Sequence, residues 1–380
     1  MEPLRRPRRL VAGDRVAVVA PSGPFPPEDL EAGMAVLRSW GLEPEAMPHA
    51  LERHAALSYL AGGDRERAED FQAAWSDPAY AAVISARGGY GTQRMLDLVD
   101  WSAMAPAEPK PYIGFSDATA LHEAIALRLG VSTLHGPMPA WRKFIANAES
   151  QEHLRRTLFE PELTQKLTPA SARTLVPGQA SGVTFGGCIS LLAAGIGTAE
   201  SRLNVEGGIL LLEEIEEAGY RLDRYLTQMR RAGWFDGVRG IALGSWVDCG
   251  PYEEIRATLL DRLGDLGVPV VEDFGFGHCI PSLTIPLGLK ATLDADAGTL
   301  QFDTPALYLP LSILHLNPCR ASCLPLAIPA RMVRRGHNRP GDVTHRLPTP
   351  YRLEPRRRRR VTGNLLEVPL LPLPRRKGPG

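Results

Sequence analysis

From Arg15 onward, short apolar runs alternate with stretches of helical spacing. Arg15-Val-Ala-Val-Val-Ala20 reads as a buried strand ending at Pro21-Ser-Gly-Pro24. Residues 27–40 carry Leu30, Met34 and Leu37 on one face behind a Pro-Glu-Asp first turn, which predicts a helix. The same reading predicts a strand over 42–47, a helix over 65–75, a strand over 81–84 and a helix over 91–99. Residues 111–114 then form a strand. Residues 117–129 form a helix with Leu121, Ala124, Ile125 and Leu129 on one side. Units of this length alternate when parallel strands are joined by covering helices, so the pattern predicts an α/β parallel sheet. Ligands of such sheets gather at the carboxyl ends of the strands.

The period weakens over residues 146–177, which read as a helix plus a linker. It resumes near Gly178 with Gly182-Val-Thr-Phe-Gly-Gly187, a helix over 188–194 and the strand Gly208-Ile-Leu-Leu-Leu212. A helix over 221–232, strand 240–244, helix 252–263 and strands at 269–271, 291–293 and 300–302 follow. The expected division is a first domain over 9–145, a linker over 146–177, a second, smaller α/β domain over 178–303 and a tail over 304–380. The tail holds 13 of the 34 prolines and the Arg356–Arg360 run, and lacks periodicity. Such composition reads as a disordered extension or the translation of a shifted reading frame.

Formal neutrality hides an asymmetry. Residues 304–380 contain 15 basic and 3 acidic side chains, so the remaining residues carry a net charge of −12. An acidic body argues against nucleic acid as a partner. No run of apolar residues is long enough to span a bilayer, and no signal-peptide core follows the basic start, so a cytoplasmic location is expected. The five cysteines are odd in number and scattered, without a C-x-x-C pair, which suggests neither a disulfide framework nor a zinc site.

One string stands out as chemistry. Gly114-Phe-Ser116-Asp117 lies between a strand and a helix, where a sharp turn would push the Ser116 hydroxyl out of the sheet. Ser-Asp before a helix also reads as an N-cap. A serine nucleophile needs a base, an orienting carboxylate and donors for the oxyanion. His278 ends the glycine-rich loop Phe274-Gly-Phe-Gly-His278 and His135 follows a strand, whereas His49, His54, His122 and His153 have no supporting glycines. Glu213 closes the apolar strand at 208–212; Glu214, Glu216 and Glu217 suit a solvated edge or first helical turn. Backbone N–H groups of Asp117, Gly88 and Gly89 are the natural oxyanion donors, since small residues allow close approach. The turn Arg87-Gly-Gly-Tyr-Gly91 lacks the lysine and spacing of a phosphate loop.

Taken in order, several motifs resemble the LD-carboxypeptidases, a serine peptidase family that includes microcin C self-immunity proteins. They are Gly13-Asp-Arg-Val-Ala-Val-Val-Ala-Pro-Ser22, Arg87-Gly-Gly-Tyr-Gly91, Gly114-Phe-Ser-Asp117, His135-Gly-Pro137, Gly186-Gly187, Leu212-Glu213 with Tyr220-Arg-Leu-Asp-Arg224, and Gly275-Phe-Gly-His278 with Pro286-Leu-Gly288. The resemblance covers residues 9 to about 303. It implies a flavodoxin-like N-terminal domain carrying Ser116 as nucleophile, and a C-terminal domain supplying His278 as base and Glu213 as its orienter. The implied reaction releases terminal D-alanine from a murein tetrapeptide during peptidoglycan recycling, without metal or cofactor, in a cytoplasmic homodimer; the alternatives are a microcin C-type self-immunity peptidase and a catalytically impaired relative that only binds peptide. A carboxypeptidase also needs a partner for the substrate's terminal carboxylate. Arg87 is the leading candidate beside Arg221 and Arg224, and Tyr90 and His135 complete the expected substrate-binding set.

Overall fold

The computed structural model describes residues 1–310. In chain order the strands are β1 (Arg15–Val19), β2 (Glu43–Ala46), β3 (Ala82–Ser85), β4 (Tyr112–Gly114), β5 (Thr133–His135), β6 (Lys166–Leu167), β7 (Arg173–Val176), β8 (Gln179–Cys188), β9 (Gly208–Ile215), β10 (Gly240–Val247), β11 (Val270–Glu272), β12 (Ile285–Leu287), β13 (Lys290–Asp294) and β14 (Thr299–Phe302). They form two sheets within one compact unit.

The six-stranded sheet has the order β12-β5-β4-β3-β1-β2, and every pair except β12–β5 is parallel. Its first five strands follow the 2-1-3-4-5 order of flavodoxin-like folds. Both faces are covered, which is why β1 is apolar at nearly every position. Ala17 and Val19 pack toward the helices Asp64–Ser76 and Thr119–Leu129, through Phe71, Trp75, Leu121 and Ile125. Val16 meets Leu37 of the helix Pro27–Ser39, and Leu154 of the helix Ala148–Phe159, on the other face.

The eight-stranded sheet has the order β6-β14-β13-β8-β9-β10-β11-β7. Its centre, β8 to β11, is parallel, and antiparallel strands flank it on both sides. Side chains of β9 alternate across it. Leu210 and Leu212 pack under the helices Gly219–Arg231 and Tyr252–Leu263, while Ile209 and Leu211 face Phe274, Phe276, Ile285 and Leu287. Ile285 and Leu287 belong to β12 of the first sheet, so this second face is where the two sheets meet.

Three strands are absent from the sequence reading. β6 and β7 lie in the expected linker, two and four residues long, and sit at or next to the edges of the second sheet. β12 contains Pro286, tolerated because the strand is an edge. The helix expected over 91–99 is a single turn, Thr92–Met95, continued as a 3-10 turn, Leu96–Leu98. Residues 304–310, expected in the tail, pack on the body: Ala306 and Leu307 are buried beside Leu10, and Arg9 N–H donates to the Tyr308 carbonyl at 2.9 Å. The rest of the Pro/Arg-rich tail lies outside the described residues. No described helix is long and apolar enough to cross a membrane.

Candidate active site

Ser116 follows β4 and opens a 3-10 turn, Ser116–Ala118, that runs into the helix Thr119–Leu129. Its φ is +61°, a left-handed conformation that a non-glycine residue adopts at some cost. The N-cap reading fails: Phe115 occupies the cap position, and no side chain caps the turn. Ser116 is instead lifted out of the sheet and partly exposed.

A glycine and a buried carboxylate fix this turn. A methyl on Gly88 would lie 2.9 Å from Ser116 Cβ and 3.0 Å from its Oγ, so only glycine lets the Arg87–Gly91 loop touch the serine. The same methyl would be 3.5 Å from Asp117 N, which places the loop backbone and that N–H around the Ser116 hydroxyl. The Asp117 carboxylate accepts from Thr92 N–H at 2.8 Å and ties the elbow to the loop. Burial pushes its pKa up, a rise that bonds from Thr92 and Ser22 only partly offset. Behind the turn, His122 is buried with Nε2 2.8 Å from the Gly114 carbonyl and Nδ1 2.8 Å from Thr133 Oγ1. A carbonyl only accepts, so Nε2 carries the proton and Nδ1 accepts from the threonine. Burial, aided by the neighbouring His135, drives the His122 pKa down to about 3, so the imidazole stays neutral.

The second half of the site comes from the other sheet. Glu213 lies on β9 and points, like Leu211, toward the first sheet. Its carboxylate is wholly buried and accepts from His278 Nδ1 at 2.6 Å. The glycines of the histidine loop have a steric reason. Gly277 has φ +93°, and a methyl there would lie 2.5 Å from Glu213 Oε2. The loop is anchored to the helix Ala148–Phe159, where Ser150 Oγ accepts from Ser282 N–H at 2.8 Å and His153 Nδ1 from Thr284 N–H at 3.0 Å.

The two halves meet through Phe115. Its ring centroid is 4.7 Å from that of His278 and 5.8 Å from that of His135. Burial alone would raise the Glu213 carboxyl, but the charge of His278 and the histidine partners outweigh it and hold its pKa low. Burial likewise works against protonation of His278, and the charge and hydrogen bond of Glu213 overcome it, raising the imidazole above its ordinary value. A carboxylate-ordered imidazole packed against the residue before a partly exposed serine can serve a hydroxyl nucleophile as its base.

Other expected residues fall differently. His135 is 1% exposed, the last residue of β5, with Nε2 3.8 Å from Glu213 Oε1. That distance is an electrostatic contact rather than a hydrogen bond. Arg87 is exposed and donates to the Pro24 carbonyl at 2.6 Å. Tyr90 is half exposed and meets Tyr59 edge-on at 5.7 Å. Arg221 pairs with Glu217 at 3.3 Å, and Arg224 lies over the Tyr220 ring. Glu214 departs from the solvated edge expected for it. It is buried, accepting from Cys188 Sγ at 2.9 Å, Ser190 N–H at 2.9 Å and Ile215 N–H at 3.0 Å. His122 and His153 were invisible as supports, because their partners lie on distant strands and loops. Among the described residues no cluster of three or more histidine, cysteine or acidic side chains could hold a metal.

A strained serine after a parallel strand, with a buried carboxylate–histidine pair packed against the preceding Phe115, is an arrangement that a two-domain α/β peptidase can use. Residues 16–136 match the LD-carboxypeptidase N-terminal domain and residues 181–293 the LD-carboxypeptidase C-terminal domain. The chain belongs to the LD-carboxypeptidase family. A carboxypeptidase-named protein of Streptomyces coelicolor is 61% identical over 310 residues, covering 82% of this chain and all of the relative. The murein tetrapeptide carboxypeptidase of Pseudomonas aeruginosa is 31% identical, over 74% of this chain and 94% of its own. Among solved structures, an MccF-like protein from Bacillus anthracis shares the fold, with a TM-score of 0.70 at 23% identity, over 78% of this chain and 98% of its own.

Proposed function

We propose that the protein is a serine carboxypeptidase that cleaves the L,D-peptide bond of murein tetrapeptides and releases terminal D-alanine. The observation that carries the reading is the buried 2.6 Å contact between Glu213 and His278, whose ring packs on Phe115, the residue before Ser116. Ser116 Oγ attacks the scissile carbonyl and His278 takes its proton; Glu213, accepting from Nδ1, leaves Nε2 to do so. Backbone N–H groups of Asp117 and the Gly88–Gly89 turn receive the oxyanion. The proton then passes from His278 to the departing D-alanine amine, and water, activated by the same imidazole, releases the acyl group from Ser116. Arg87 beside the turn is our candidate for the terminal carboxylate, with Tyr90 at the rim. The murein substrate rests on the relatives' names, and the role in peptidoglycan recycling, cytoplasmic location and homodimeric state belong to the same reading.

A microcin-type immunity peptidase is the competing reading, favoured by the shared MccF-like fold. The chain between Glu213 and His278 is taken up by two helices and two strands joined by short connections. That leaves no long inserted loop there to stack a nucleobase. Incubation with a murein tetrapeptide tests the choice. D-Alanine release that vanishes in Ser116→Ala supports the murein reading, whereas cleavage of a peptidyl nucleotide alone replaces it.

A further inference from the structure

Only one of the two Glu213 oxygens has a hydrogen bond. Oε2 accepts from His278; Oε1 is buried with no partner, as are both ring nitrogens of His135, whose Nε2 is 3.8 Å away. Buried polar atoms are nearly always bonded, so three unpaired atoms beside one carboxylate need a reason. Substrate contact is not that reason. His135 is 1% exposed, its ring held edge-on between Phe115 at 5.8 Å and Phe276 at 5.5 Å. Its backbone is also fixed, because β5 pairs with Gly114 of β4 on one side and Ile285 of β12 on the other. The titratable groups facing it are Glu213 from β9 and neutral His122 from the elbow helix, 6.2 Å between rings. His278 lies beyond Glu213, itself influenced by Glu214 and the exposed Lys143.

We infer that His135 is a positioning residue that donates Nε2–H to Glu213 Oε1, holding the carboxylate ionised and aimed at His278. Side-chain rotation of roughly 1 Å brings 3.8 Å into bonding range, the kind of tightening that accompanies substrate binding. The carboxylate then sits between two imidazoles, one on each oxygen. Without the donor, Glu213 becomes more basic and holds the His278 proton harder, so the imidazole is freed only at higher pH. The inference rests on the triad reading above, but one readout does not.

The first test is the pH dependence of kcat/KM for His135→Phe and His135→Gln. His135→Phe is expected to lower kcat about 10- to 100-fold, as loss of an outer-shell partner does elsewhere, with KM little changed and the acid limb moved to higher pH. His135→Gln keeps an N–H donor and restores the limb; a packing role would move neither. The second test is ¹H–¹⁵N NMR of the imidazoles in Ser116→Ala, with and without tetrapeptide. It needs no turnover and no change at position 135. An Nε2–H tautomer of His135 whose proton moves downfield on binding supports the inference. An Nδ1–H tautomer, or an acid limb unmoved in both variants, overturns it. The predicted tautomer in a protein that releases no D-alanine would instead count against the peptidase reading.

Discussion

Glu213 and Glu214 are consecutive on β9 and both buried, yet strand alternation sends them to opposite faces. Glu213 meets an imidazole across the sheet interface. Glu214 meets the Cys188 thiol, the Ser190 N–H at the start of the helix Ile189–Gly195, and the Ile215 N–H of its own strand. Their electrostatics diverge accordingly. The charge and hydrogen bond of His278 overcome burial and hold the Glu213 pKa down; burial and the neighbouring Glu213 charge push that of Glu214 up, despite the bond from Cys188. In the proposed mechanism one face of the strand carries chemistry, while the other joins β9 to the helix Ile189–Gly195. A carboxylate's role is set by which face it occupies, not by its burial.

The largest expected effect breaks the catalytic face. Glu213→Ala should cut kcat about 10⁴-fold, the scale seen when a triad's orienting carboxylate is removed, with folding checked by thermal unfolding. Glu214→Ala should leave kcat within a few-fold and lower stability by about 1–3 kcal/mol, because two part-buried N–H groups and the buried Cys188 thiol lose their acceptor. Equal losses of kcat in the two variants would erase the distinction between the faces. Gly277→Ala comes next. Its methyl would fall 2.5 Å from Glu213 Oε2 at φ +93°, so an activity loss of about 10²-fold is expected, with a destabilisation of about 1–3 kcal/mol.

The smallest effect concerns His122 behind the elbow. Its folded pKa of about 3 lies below the ordinary 6.5, so protonation favours the unfolded chain. Its neutral form supports the fold above pH 6.5, and that support is lost as pH falls from about 6.5 toward 3. Thermal midpoints measured over this window should decline more steeply in wild type than in His122→Asn. Parallel slopes would remove His122 from the account.

The elbow and the base pair were not equally legible in the sequence. Ser116 could be placed on its turn from local pattern alone, since strand, glycine and helix are contiguous. Glu213 and His278 lie 65 residues apart, and no periodicity joins them; their pairing came from the ordered motifs of a family. Glu214 reads as a solvated edge because the apolar run ends at Leu212, whereas β9 continues to Ile215 under the cover of its helix. β12 gives no strand signal because Pro286 interrupts its apolar pattern, and two-residue β6 is too short to show one. His122 and His153 show no local signal, since what they support lies on other elements.

In the proposed mechanism Ser116 is a nucleophile served by His278, on the loop after β11. Labelling with a phosphonofluoridate followed by peptide mass spectrometry tests it most directly, with the rate followed against pH. A single adduct on Ser116 is expected, formed faster as His278 loses its proton at a pH above the ordinary histidine value, and strongly slowed in Glu213→Ala. An adduct on another residue, or Ser116 labelling at a rate indifferent to Glu213, would contradict it.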